Sequence, residues 1–240
     1  MNQQKPAVVL VHGAFAESAS WNGVIEQLQA NDVHTIAAAN PLRSIPGDAA
    51  YLRDVLAGIG APAVLVGHSY GGMVITEAAA GHDQVAALVY VCAFAPEHGE
   101  SAFDLSGRFP GSTLGQALDA YQVSSGGSEF VIRPDVFHQQ FAADVSPAQA
   151  AVMSATQRPV TQTALTARLP TDAPAWKTIP SWFVFSDQDR NIPVALHRFM
   201  ADRAGAKDVR EVPGASHALS VSRPEAVAAS ILQAVHAVAG

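Results

Sequence analysis

At 240 residues, 49% of them apolar, the chain suits a single α/β domain with a large core and one modest insertion. A formal charge of −7 with only 14 Lys and Arg leaves no basic stripe, which excludes nucleic acid and an anionic membrane surface as partners and leaves a small neutral or apolar ligand. The single cysteine permits no internal disulfide, and the nine histidines lie scattered without metal-ligand spacing, so no metal site is expected.

Residues 1–6 have no apolar signal core and no apolar run approaches bilayer length, so a cytoplasmic protein is expected. Ala7-Val8-Val9-Leu10-Val11 is a continuous β-branched run typical of a parallel strand covered on both faces, and it ends in His12-Gly13-Ala14-Phe15. The spacing of Trp21, Val24, Ile25 and Leu28 predicts a helix over 20–30, with a strand over 34–39 after it. Asp48 is placed to cap a helix whose apolar face is Tyr51, Leu52, Val55, Leu56 and Ile59, and Gly60 to end it.

A third strand, 62–66, runs through Gly67-His68-Ser69-Tyr70-Gly71 into a helix over 70–80. In that strand–turn–helix setting G-x-S-x-G reads as a nucleophile elbow. Glycine two residues either side of the serine avoids a collision in so sharp a turn, and the serine itself takes up strained backbone. A fourth strand, 85–94, holds Cys92, read as a small buried hydrophobe. Strict β-α alternation to this point implies right-handed crossovers and a parallel, doubly wound sheet with its ligand site beyond the carboxyl ends of the strands.

From 96 to 175 the rhythm breaks into proline and glycine punctuation, with helical pieces at 114–121, 135–143 and 147–156 and no competing strand signal. So long an excursion reads as a functional helical cap over the strand ends. The alternation resumes with a strand at 181–185, the loop Ser186-Asp187-Gln188-Asp189-Arg190-Asn191-Ile192-Pro193, a helix through 204 and a last strand at 209–212. Pro213-Gly214-Ala215-Ser216-His217 follows, and the S-x-x-E spacing of Ser222 and Glu225 predicts a capping box for the final helix to 238. The expected architecture is a six-stranded, mostly parallel core, 1–95 and 176–240, with a cap, 96–175.

A serine hydroxyl attacks only when a base takes its proton and a third group fixes the tautomer of that base. His217 and Asp189, at two later strand ends, supply these in the order serine, acid, histidine. Asp187 competes for the acid position and Glu97 is a more remote choice; the spacing of Asp189 to Ile192-Pro193 favours it. The oxyanion donors are then the N–H groups of Ala14 and Tyr70. His12 reads as a pin for its loop, His68 as packing beside the strand ends, and His138 as part of a solvated cap helix.

On Val9-Leu10-Val11-His12-Gly13-Ala14 with Trp21, Gly67-His68-Ser69-Tyr70-Gly71-Gly72, Asp189-Arg190-Asn191-Ile192-Pro193 and Gly214-Ala215-Ser216-His217, the chain resembles the α/β-hydrolase family along almost its whole length. The single cap after the fourth strand is similar to the branch of plant methyl esterases, hydroxynitrile lyases and bacterial carboxylesterases. Lyases of that branch carry a lysine after the catalytic histidine and a threonine at the Gly13 position. Here Ala218 and Gly13 stand there, which favours an esterase. Epoxide hydrolases and haloalkane dehalogenases of this fold have an aspartate in place of Ser69.

The resemblance implies a serine esterase with Ser69, His217 and Asp189 as its triad, a small-molecule ester as substrate and no cofactor. Lyase-like or perhydrolase activity, or a receptor-like binding protein with vestigial hydrolysis, are the alternatives, and a homodimer is left open. Gly13, Phe15, His68, Phe137 and Phe141 are the candidate substrate contacts. Phe103, Phe109, Tyr121, Phe130 and Met153 are further candidates for an apolar lining, and scarce Lys and Arg in the cap predict poor use of anionic esters.

Overall fold

The computed structural model describes residues 5–124 and 126–239. Its strands are β1 (Ala7–Val11), β2 (Thr35–Ala38), β3 (Ala63–His68), β4 (Val85–Val91), β5 (Leu118–Gln122), β6 (Ser128–Ile132), β7 (Val160–Thr161), β8 (Ser181–Ser186) and β9 (Asp208–Val212). Six of them form one sheet in the order β2-β1-β3-β4-β8-β9. Every neighbouring pair in it is parallel. The order reverses direction beside β1, as a doubly wound sheet requires.

The continuous apolar runs have a simple cause. Strands β1, β3 and β8 are buried at every position and β4 at all but one, because helices cover both faces. The outermost strands, β2 and β9, are partly exposed and accordingly more polar or smaller in side chain. Register then fixes where the loops emerge: Val11 lies beside Gly67, His68 beside Val91, Val91 beside Val184 and Ser186 beside Val212. The loops bearing Gly13, Ser69, Asp189 and His217 therefore leave from one edge of the sheet.

The segment between β4 and β8 is not all helical. It holds the helices Ala102–Ser106, Leu114–Ala117, Pro134–Phe141, Pro147–Thr156 and Gln162–Thr166, together with an antiparallel sheet β5-β6-β7. The helix expected over 114–121 stops at Ala117 and the chain continues as β5. That strand lies almost wholly in solvent, so it shows none of the apolar alternation by which a half-buried strand is read. The segment is tied to the core through main chain: Phe15 N–H donates to Arg158 O at 3.1 Å, Thr161 N–H to Leu42 O at 3.1 Å and Thr113 N–H to Arg190 O at 3.0 Å.

Two expected caps differ as well. Ser44, not Asp48, caps the helix Ile45–Ile59, accepting from Gly47 N–H, while Gly60 ends it with φ 64° as expected. The capping box at Ser222 does not form, because Ser222 closes the one-turn helix Leu219–Ser222 and the last helix, Pro224–Val238, begins behind Arg223 instead. No helix among the described residues is long and apolar enough to cross a membrane.

Candidate active site

Ser69 follows β3 directly, at φ 54°, and the helix Gly71–Ala79 starts two residues later. The glycines have the steric role the turn demands. A Cβ on Gly67 would lie 2.7 Å from the Gly71 carbonyl, and one on Gly71 would collide with the Val11 carbonyl oxygen of β1. Main-chain bonds hold the strained serine: its N–H donates to Val91 O at 3.3 Å, and its carbonyl accepts from Gly72 N–H at 3.0 Å and Phe94 N–H at 3.2 Å. Strain at one residue persists because the surroundings over-determine it in this way.

Asp189 and His217, 28 positions apart, meet: His217 Nδ1 donates to Asp189 Oδ2 at 2.6 Å, both side chains fully buried. The other carboxylate oxygen, Oδ1, accepts from the N–H groups of Asn191 at 2.8 Å and Ile192 at 2.9 Å. Burial alone would raise the Asp189 carboxyl, but the His217 charge and the hydrogen bonds from His197 and His217 hold it well below the usual carboxylate range. Asp187 instead accepts from Gly214 N–H at 2.7 Å and pins the loop leading to His217. Glu97 pairs with Lys177 at 2.6 Å, and so serves neither position.

With Nδ1 committed to Asp189, Nε2 of His217 is buried and makes no hydrogen bond among the described residues. His68, the residue before Ser69, donates from Nε2 to the His217 carbonyl at 3.0 Å, and the two rings lie 4.7 Å apart. Burial, with the neighbouring His217, pushes the His68 imidazole down to about 3, so it is a neutral donor that fastens the elbow to the histidine loop. His12 likewise packs rather than titrates: burial takes it down to about 4, and its Nδ1 bonds the Gly13 carbonyl at 2.9 Å.

A cavity of about 320 Å³ opens at this edge of the sheet, walled by Ala14, Phe15, Ser69, Tyr70, Phe94 and Asn191 among others, with no charged side chain in its lining. Ala14 and Tyr70 line the cavity together with Ser69, and neither main-chain N–H donates to an acceptor among the described residues. Tyr70 is held from its other end, where its hydroxyl donates to the buried Asp48 at 2.9 Å. Asp48 thus braces the elbow from the helix Ile45–Ile59 rather than capping that helix.

Of the expected substrate contacts, Phe15 lines the cavity and four do not. Gly13 faces the elbow itself, where a Cβ would come within 2.6 Å of Ser69 Cβ; its small size makes room for the nucleophile, not for a ligand. His68 is sandwiched edge-on between Trp21 and Phe141. Phe137 and Phe141 stack on each other at 5.2 Å, and Phe141 meets the His217 ring edge-on at 5.0 Å, so both form the packing behind the imidazole. Among the wider candidates Phe103 lines the cavity and is 70% exposed at its mouth, whereas Met153 faces a separate, smaller cavity of about 150 Å³.

One residue beside the acid was not anticipated. His197, on the buried face of the helix Val194–Arg203, places Nε2 3.2 Å from Asp189 Oδ2. A histidine on an apolar helical face reads from sequence as packing, and only the helix's return across the Asp189 loop brings it to the carboxylate.

The chain is similar to known proteins along nearly its whole length. The sequence model of the Alpha/beta hydrolase family matches residues 8–230. The chain is 29% identical to the alpha/beta hydrolase nvfD of Aspergillus novofumigatus over 96% of both chains. It is 28% identical to a pyrethroid hydrolase of Sphingobium wenxiniae over 93% of this chain and 85% of that one. The crystal structure of polyneuridine aldehyde esterase superposes with a TM-score of 0.82 at 20% identity, covering 96% of this chain and 99% of that one, which shows a shared fold.

Proposed function

The chain belongs to the alpha/beta hydrolase family, and from that membership we propose that it is a serine esterase of small, uncharged carboxylic esters. One observation carries the reading: Asp189 fixes His217 through Nδ1 at 2.6 Å and leaves a buried, unpartnered Nε2, on a loop that His68 fastens at 3.0 Å to the elbow bearing the strained serine. An imidazole whose Nδ1 is held by a carboxylate offers Nε2 as the base for a serine hydroxyl. In this reading residues 1–95 and 176–240 are the catalytic core and 96–175 the cap that governs substrate choice.

The reaction requires the Ser69 hydroxyl to turn toward Nε2 of His217. His217 takes the proton as Ser69 Oγ attacks the ester carbonyl, and the Ala14 and Tyr70 N–H groups receive the oxyanion. The carbon–oxygen bond to the alcohol breaks and Nε2 returns the proton to the departing oxygen, leaving an acyl-serine. Water, deprotonated by the same nitrogen, then attacks the acyl carbon, and Ser69 leaves reprotonated with the free acid. Side chains, main chain and water supply every step, so no cofactor is called for.

The uncharged cavity wall supports a neutral substrate, since a carboxylate carried into it would lose its hydration without gaining a partner. Similarity to a pyrethroid hydrolase and to polyneuridine aldehyde esterase supports ester hydrolysis. Cyanohydrin cleavage is disfavoured, because a side chain at Gly13 would strike Ser69 and the neighbour of His217, buried Ala218, supplies no cation.

The test is steady-state hydrolysis of p-nitrophenyl acetate beside an ester of similar size bearing a carboxylate. The expected result is many turnovers per protein on the neutral ester and kcat/KM lower by at least about tenfold on the anionic one. A single turnover followed by arrest would identify a binding protein with residual reactivity, and equal use of both esters would contradict the neutral pocket.

A further inference from the structure

Asp189 Oδ2 receives two imidazoles, not one. His217 Nδ1 reaches it at 2.6 Å and His197 Nε2 at 3.2 Å, and all three side chains are essentially inaccessible to solvent. A carboxylate oxygen only accepts, so His197 must carry its proton on Nε2. Burial holds its imidazole below the usual histidine range, so the ring is neutral, and its Nδ1 keeps a bare lone pair with no partner among the described residues. The ring plane is set by stacking on Phe185 of β8, at 5.0 Å and 11°.

Cys92, Asp189 and His197 also converge closely enough to suit a cation, and no ion is present there. Hydrogen bonding accounts for the cluster better. The two carboxylate oxygens already accept from four N–H groups, and burial pushes the Cys92 thiol up, away from the thiolate a metal needs.

We propose that His197 is a positioning residue for the ester hydrolysis: as a neutral Nε2–H donor it shares Asp189 Oδ2 with His217 and keeps the carboxylate aimed at the catalytic imidazole. During turnover His217 alternates between neutral and protonated, and its pull on Oδ2 alternates with it. His197 donates in both states. Asn191 and Ile192 lock Oδ1, so the donor at Oδ2 removes the remaining freedom of the carboxylate to turn about its Cβ–Cγ bond. The inference rests on the triad reading above, and its test separates the two.

His197→Phe keeps the stacked ring and removes the donor; His197→Gln keeps an N–H near the place of Nε2. With p-nitrophenyl acetate, His197→Phe is expected to lose about tenfold in kcat with KM within about twofold of wild type, and His197→Gln to recover most of the loss. Wild-type kcat in His197→Phe, or equal impairment in both variants, overturns the proposal. If His197→Phe does not fold, the tautomer in the unmodified protein decides: nitrogen NMR with the proton on Nε2 supports the assignment, and a proton on Nδ1 overturns it. A Ser69→Ala control as active as wild type would instead overturn the triad reading, whatever His197 does.

Discussion

Ser69→Ala is expected to fold as the wild type does and to lose ester hydrolysis by a factor on the order of a millionfold in kcat. The fold is spared for a local reason. Alanine at φ 54° carries the same Cβ as serine, so the backbone strain is unchanged, and no hydrogen bond of the described structure uses the hydroxyl that is removed. What disappears is the atom that forms the acyl bond in the proposed mechanism. Circular dichroism and the unfolding midpoint check the first half of the prediction and initial rates the second; an unfolded variant or a modest loss of rate would each contradict it.

Asp189→Asn should cost about ten-thousandfold in kcat through a change of tautomer. The N–H groups of Asn191 and Ile192 require an acceptor at Oδ1, so the asparagine carbonyl is held on that side and its NH2 takes the place of Oδ2. That NH2 then faces His217 Nδ1 at a site where the wild type has a 2.6 Å donor–acceptor bond. The imidazole can answer only by moving its proton to Nε2, where it can no longer accept one from Ser69. A second donor clash, against His197 Nε2–H, lowers stability as well. The measurement is kcat together with the unfolding midpoint, and a variant with wild-type kcat would show that Asp189 does not govern the tautomer.

These consequences turn on features of unequal visibility in the sequence. The parallel strands were legible because burial on both faces writes itself as unbroken apolar runs in β1, β3 and β8. The elbow was legible because sterics demand glycine at 67 and 71, where any Cβ meets the main chain. The pairing of Asp189 with His217 follows from strand ends sharing one edge. The small sheet β5-β6-β7 was not legible: β5 is solvent-exposed and β7 is two residues long, so neither leaves a period-2 trace.

The substrate contacts were read less well because aromatic content does not say which way a ring points. Phe137 and Phe141 are as apolar as Phe15, yet they back the His217 imidazole while Phe15 lines the cavity. Asp48 has the residue type of a cap and stands in the first turn of its helix, and only the structure shows Tyr70 above it. His197 shows the same limit, for its meaning comes from a carboxylate on another element.

The most direct measurement of the central claim is covalent capture by a fluorophosphonate, a reagent that reacts with a serine only when a neighbouring base removes its proton. The account predicts one adduct per protein, mapped by peptide mass spectrometry to Ser69, and its loss in His217→Ala. An adduct on another residue, or labelling of Ser69 that persists undiminished without His217, would contradict it.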